Sequence, residues 1–257
     1  DGVKDAINAI VNDTTLTTGA HFGFGHWNAG RSGLGKNSKN GGAYCHRNDN
    51  CTYYDGWKGE HPAGTSVLCN TDSCLNVGIS SKGASQIMKV LEPMGLAWGT
   101  DSQAFSGIAT KYFNDPKAGG LVFDEDSLCQ LTYVIVLGDG AMTNTGIGRA
   151  VDGVNIGHAR KGNSIGRMEE LRKKGIKSLY VAYGGGIKGK SMSMFKTFAR
   201  AGSCETLGDK DCEEVIIANT PEELKSELTS KIRQIIADKL AFTAPSITAT
   251  IQEGGSL

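Results

Sequence analysis

Apolar residues along the first dozen positions recur at helical spacing. Val3, Ile7, Ile10 and Val11 fall on one face of DGVKDAINAIVND, which predicts an amphipathic helix. The period then drops to two: Phe22, Phe24 and His26 alternate with small residues in HFGFGHWN (21–28), a strand pattern. Residues 29–83 lose periodicity and are rich in Gly, Asn, Ser and Asp. Helical spacing returns at 85–95 (Ile87, Met88, Leu91), stopped by Pro93 and Gly95, and again at 101–113. LTYVIVLGDG (131–140) holds a continuous apolar run, Tyr133 to Leu137, which predicts a central parallel strand buried on both faces. The following pattern predicts a helix over 167–175 with Gly175 as its stop, and a strand over IKSLYVAYGGG. It then predicts a helix over 191–202 ended by Gly202, and a strand over 212–220. Thr220-Pro221-Glu222-Glu223 is a capping box with Pro at the first helical position. It opens a helix with Leu224, Leu228, Ile232, Ile235 and Ile236 in one stripe. Beyond Phe242, FTAPSITATIQ reads as a β segment starting something new.

Strands alternating with helices predict an α/β fold of the doubly wound, Rossmann-like kind, with helices on both faces of a parallel sheet. Ligands of such sheets bind at the carboxyl ends of the strands. A chain of 257 residues suits one such domain with a long insertion. Gly, at 36 residues, is about twice its usual share of roughly 7%, which points to long turn-rich loops. The 27 basic and 27 acidic residues cancel, so no basic excess recommends nucleic acid or an anionic membrane. No apolar run approaches the ~18–20 residues of a membrane span.

Six of the seven cysteines form close couples in loop sequence: Cys45 with Cys51, Cys69 with Cys74, and Cys204 with Cys212. Short loops of this kind, with no C-x-x-C, predict disulfides and an exported protein in preference to zinc. The stretch 29–83 then reads as a disulfide-braced insertion, and Cys129 is left over. The chain opens on a helix with no strand ahead of it, which predicts a piece of a longer precursor.

Two residues stand where strand or loop hands over to helix. Thr100 lies in Trp-Gly-Thr-Asp (98–101) and Asp139 in Leu-Gly-Asp-Gly (137–140). Each has a plain structural explanation. Thr100 with Gln103 makes a capping box, and Asp139 begins an Asp-Gly turn. Other motifs are weaker: no histidine pair is spaced as H-E-x-x-H, Gly184-Gly185-Gly186 lacks the rest of a dinucleotide fingerprint, and no Ser sits in G-x-S-x-G. Met192 and Met194 read as helix packing.

Taken in order, 98–101 and 137–140 resemble two of the three loops of the metal-ion-dependent adhesion site in von Willebrand factor A-type (vWA) domains. The family usually has Thr where Gly138 stands, and its first loop, Asp-x-Ser-x-Ser, is absent here. The resemblance implies a vWA-like domain over 1–245 that lacks its first strand, with the insertion at about 29–83. It implies Thr100 and Asp139 as ligands of Mg²⁺ or Ca²⁺, in a site incomplete within these residues. Such a site binds a partner carboxylate and performs no reaction, so the expected protein is not an enzyme.

The stretch 216–224, the helix to Leu240 and 242–250 resemble the end of that domain in PilY/PilC-type proteins of type IV pili. This implies an extracellular protein at the pilus tip that supports pilus assembly and surface attachment. Its implied partners are minor pilins and a host or abiotic surface ligand. Residues 246–257 would lead towards a C-terminal β-propeller, and the partner of Cys129 would lie upstream of Asp1. The alternatives are a secreted Rossmann-like hydrolase using Asp139, or a structural filament subunit.

Overall fold

A computed structural model describes residues 2–27, 69–70, 73–92, 100–114, 131–143, 164–204 and 212–243. The expectations for Cys45, Cys51, Cys129, most of the insertion and 246–257 lie outside them.

The chain begins with α1 (Gly2–Val11) and the single turn α2 (Thr14–Thr17), whose N-cap Asp13 accepts the Thr15 amide hydrogen at 2.9 Å. β1 (Phe22–Trp27) follows, then β2 (Cys69–Asn70), β3 (Ser73–Ser80) and α3 (Gly83–Leu91). β4 (Thr100–Asp101) leads directly into α4 (Ser102–Asn114). The remaining elements are β5 (Thr132–Gly138), β6 (Met142–Thr143), α5 (Ser164–Lys173), β7 (Ile176–Tyr183), α6 (Lys190–Ser203), β8 (Ile216–Ala218) and α7 (Pro221–Thr243).

β5, β7 and β8 form a parallel sheet in that order, with Thr132 opposite Ile176 and Val181 opposite Ile216. β7 is its spine, and its alternating side chains explain why helices cover both faces. Tyr180 and Ala182 enter a core with Phe105, Met168, Phe195 and Phe198, from α4, α5 and α6. Val181 enters a second core with Ala6, Ile10, Leu224 and Leu228, from α1 and α7. Each fully buried side chain of this size contributes about 1.5–3 kcal/mol. The fold is therefore mixed α/β and compatible with a Rossmann-like layering.

Three expectations need correction. β5 is not buried on both faces: Ile135 and the adjoining Leu131 are 39% and 50% exposed, and among the described residues the strand pairs with β7 alone. A run of apolar residues records what a strand needs covered, and cannot say whether a neighbour covers it. β3 falls inside the stretch read as lacking periodicity. Val77 at its centre is fully buried and the strand pairs antiparallel with β1, but Asn, Gly and Ser around Leu75, Val77 and Ile79 mask the alternation. Gly202 does not end α6, which runs on to Ser203; a Cβ there would meet the Ser178 Oγ at 1.6 Å.

Other features match the pattern. Gly175 takes φ 84° after α5, in the left-handed region that stops a helix. The Glu223 amide donates to the Thr220 Oγ1 at 3.2 Å, and the Glu223 carboxylate accepts from the Asn219 amide at 2.7 Å, which closes the cap of α7. Leu224, Leu228 and Ile232 are buried, and Met194 packs in the core. Cys204 and Cys212 are joined by a disulfide.

Candidate functional site

The short parallel pair β4 and β6 determines where the two candidate ligands sit. Thr100 is opposite Met142, and Asp101 opposite Thr143. Met142 lies three residues beyond Asp139, which itself follows directly on the last residue of β5. The backbone at Thr100 thus pairs with a segment that begins three residues beyond Asp139, past the carboxyl end of β5. This is the rim where open α/β sheets receive ligands. Asp139 is exposed. Its carboxylate is therefore hydrated and available to a partner from solution.

The helix start expected at Thr100 falls later. α4 begins at Ser102, so Asp101 takes the flanking position and Thr100 belongs to the β ladder. A capping box between Thr100 and Gln103 would need the helix to start one residue earlier.

One polar contact beside the rim was missed in the sequence. Ser102 and Ser164 are both fully buried, and their hydroxyls lie 2.9 Å apart in a hydrogen bond. Each is the first residue of its helix, so the contact ties the N-terminus of α4 to that of α5. A buried hydroxyl is costly without a partner, at roughly 1–3 kcal/mol, and here each finds one in the other. Two serines 62 residues apart carry no pairing signal in the chain.

As candidates for holding a metal, Thr100 and Asp139 are oxygen donors only, the type that Mg²⁺ and Ca²⁺ select. They fit in kind and fall short in number, since these ions take six or more ligands. Among the described residues, no three His, Cys, Asp or Glu side chains gather around one point. Thr and Ser hydroxyls would have to supply the balance.

The described disulfide is remote from this rim. It links Cys204, directly after α6, to Cys212, with Cα atoms 4.7 Å apart. Ser203 supports the turn: its Oγ donates to the Ala199 carbonyl at 2.6 Å and accepts from the Glu213 amide at 2.9 Å. Cys69 and Cys74 face each other across the β2–β3 pair, as close couples in a hairpin do.

A cavity of about 290 Å³ lies elsewhere, between β1 and β5. Its walls are mostly apolar, and Asp139 is not among the described residues that line it. No helix among the described residues is long and apolar enough to cross a membrane.

No protein-family model matches the chain, and no curated protein matches it.

Proposed function

We propose that this chain is a vWA-type adhesion module of a type IV pilus tip, binding a partner carboxylate through a divalent cation. The observation that carries the reading is the β4–β6 pairing, which sets the Thr100 backbone against the strand that follows Asp139. Thr100 and Asp139 are 39 positions apart in the chain, and a pairing three residues beyond Asp139 supports a shared place at the rim where ligands of such folds bind.

In this reading Asp139 holds the cation directly or through water, and the Thr100 hydroxyl adds a neutral oxygen. When bound, Mg²⁺ or Ca²⁺ carries surplus positive charge and an open coordination position for an acidic side chain of a partner. The exposure of Asp139 suits a site that meets a macromolecule. In this reading the chain's residues bind and orient a partner and carry out no reaction. Minor pilins and a host or abiotic surface are the partners, and the setting is extracellular, in keeping with the disulfide.

The test compares the full-length protein with its Asp139→Ala variant during titration with MgCl₂ and CaCl₂, read by thermal unfolding. The unaltered chain is expected to gain stability as the cation is raised to the millimolar range and to lose it on adding EDTA. The variant is expected to gain none. Equal gains in both chains, or no gain in either, would remove the metal role. At the cellular level, Asp139→Ala is expected to abolish the EDTA-sensitive part of surface attachment.

A further inference from the structure

The turn between β7 and α6 carries a motif that the adhesion reading does not use. Residues 184–191 run Gly-Gly-Gly-Ile-Lys-Gly-Lys-Ser: a glycine, four residues, then Gly189, Lys190 and Ser191. This is the G-x-x-x-x-G-K-[ST] spacing of a phosphate-binding loop, whose structural context is a strand running into a helix. That context is met here. β7 lies between β5 and β8 in the parallel sheet and ends at Tyr183, and α6 begins at Lys190. A chain with 36 glycines matches short glycine patterns easily, so the local geometry has to decide.

The two glycines that the motif fixes are the two of this loop with positive φ, Gly184 at 89° and Gly189 at 53°. Residues with a Cβ rarely adopt such angles, so both places need glycine. Ile187 is 6% exposed and packs into the first core, which pins the loop down, while Gly185, Gly186, Lys188, Gly189 and Lys190 stay exposed. A Cβ on Gly184, Gly186 or Gly189 would meet no described atom within 4 Å, so a ligand can approach the backbone itself. The Gly184 amide donates to the Ala218 carbonyl at 2.8 Å and the Ser191 amide to the Lys188 carbonyl at 3.2 Å. Among the described residues, the amides of Gly185, Gly186, Lys188, Gly189 and Lys190 have no such bond. Gly189 is the N-cap of the 14-residue α6 and has no side chain to cap it, so the positive end of the helix is left open. Neither Lys188 nor Lys190 forms an ion pair among the described residues.

Unbonded amides, an open helix N-terminus and two ammonium groups together select an anion with many oxygens along a chain. A lone carboxylate offers two oxygens and one charge, and would leave most of these donors unmatched. A polyphosphate offers oxygens and charge at each phosphorus. The register of the sheet adds a carboxylate on the cation's side. Gly138 stands opposite Ala182, so Asp139 leaves β5 one residue on, where the chain also leaves β7 for the loop. In phosphate-binding loops, the Mg²⁺ that accompanies the phosphates is held by the loop's Ser or Thr and by an Asp from elsewhere in the sheet. Ser191 and Asp139 are residues of those two types, and Asp139 is exposed.

We propose that residues 184–191 bind the phosphate chain of a polyphosphate ligand, the class to which nucleoside di- and triphosphates belong. The loop amides and Lys190 hold the phosphates, and Ser191 and Asp139 serve the accompanying Mg²⁺. The phosphate cradle needs no partner carboxylate and stands apart from the adhesion reading, although Asp139 would serve the cation in both.

Isothermal titration calorimetry on the full-length protein at constant ionic strength tests it. The probes are ATP, tripolyphosphate and orthophosphate, each with MgCl₂ and with EDTA. ATP and tripolyphosphate are expected to bind at least about tenfold tighter than orthophosphate. Tighter binding of ATP than of tripolyphosphate would assign a nucleotide, and equal binding the phosphate chain alone; both support the cradle. Lys190→Ala is expected to weaken ATP at least about tenfold with either addition, while its thermal unfolding shows that it is folded. Lys225→Ala, which removes an exposed lysine of α7, is expected to change binding by less than about twofold. Asp139→Ala is expected to lose the gain from MgCl₂ and keep the binding seen in EDTA. No preference over orthophosphate, undiminished binding by Lys190→Ala, an equal loss in Lys225→Ala, or a MgCl₂ gain that survives Asp139→Ala would overturn the proposal. ATP binding in EDTA by a protein that MgCl₂ alone does not stabilise would keep the cradle and remove the adhesion site. The reverse result would overturn the cradle alone.

Discussion

Gly202 of α6 and Ser178 of β7 meet so closely that a Cβ on Gly202 would lie 1.6 Å from the Ser178 Oγ and 3.0 Å from its Cβ. Rotating the hydroxyl relieves the first contact and leaves the second. Helix propensity alone would favour alanine at Gly202 by up to about 1 kcal/mol. Overpacking a buried contact costs about 1–3 kcal/mol, and Ser178 is only 1% exposed, so the steric effect wins. Gly202→Ala is expected to lower the unfolding free energy in urea by up to about 2 kcal/mol, the difference between these terms. Adding Ser178→Gly to that variant is expected to recover part of the loss; a stabilised Gly202→Ala chain would contradict the contact.

The Cys204–Cys212 bond closes a short loop between α6 and the approach to β8. For a loop of eight residues' separation, the chain-entropy account assigns about 2–3 kcal/mol. The double variant Cys204→Ser/Cys212→Ser is expected to lower the unfolding free energy, measured in urea, by that amount. Dithiothreitol should then have a smaller effect on it than on the unaltered chain.

Tyr133, on β5 beside the cavity, has its phenol pushed up to about 12 by burial first, and then by the carboxylates of Glu213 and Asp238. Burial also raises the phenol of Tyr180. Folding holds both rings in the neutral form. The stability this contributes is complete below the ordinary tyrosine value of 10.0 and drains away as pH rises from there towards 12. Urea midpoints measured from pH 9 to 12 are expected to fall across that window, and Tyr133→Phe is expected to make the fall shallower. Ultraviolet titration of the phenolates should show a late-ionising fraction that the same substitution reduces.

The Thr220 hydroxyl caps α7, which carries one wall of the second core. Thr220→Ala is expected to cost about 1 kcal/mol, and Thr220→Ser to cost much less. Equal losses in both variants would mean that the hydroxyl is not what stabilises the helix.

Local elements were legible wherever a short-range signal exists. The stripe of α7, the left-handed Gly175 and the apolar spine of β7 each follow from spacing or from one residue's conformational freedom. β3 was hidden because polar and glycine residues fill the positions around Val77, so composition outweighed alternation. At the candidate site, Thr100 and Asp139 were identified as oxygen donors next to helix starts. What no local signal could supply was the β4–β6 pairing or the buried Ser102–Ser164 hydroxyl contact.

By itself the sequence determined the longer helices and the strands β1, β5, β7 and β8, the apolar faces of the helices, and that Cys204 and Cys212 are close enough to bond. Propensity, periodicity and short loops act within a dozen residues, so a linear reading reaches them. Only the tertiary structure decided that Ile135 of β5 stays exposed, that Gly202 must be glycine, and that an apolar cavity lies between β1 and β5. These depend on which surfaces meet across tens to more than a hundred residues of chain, where packing and backbone pairing choose the neighbour.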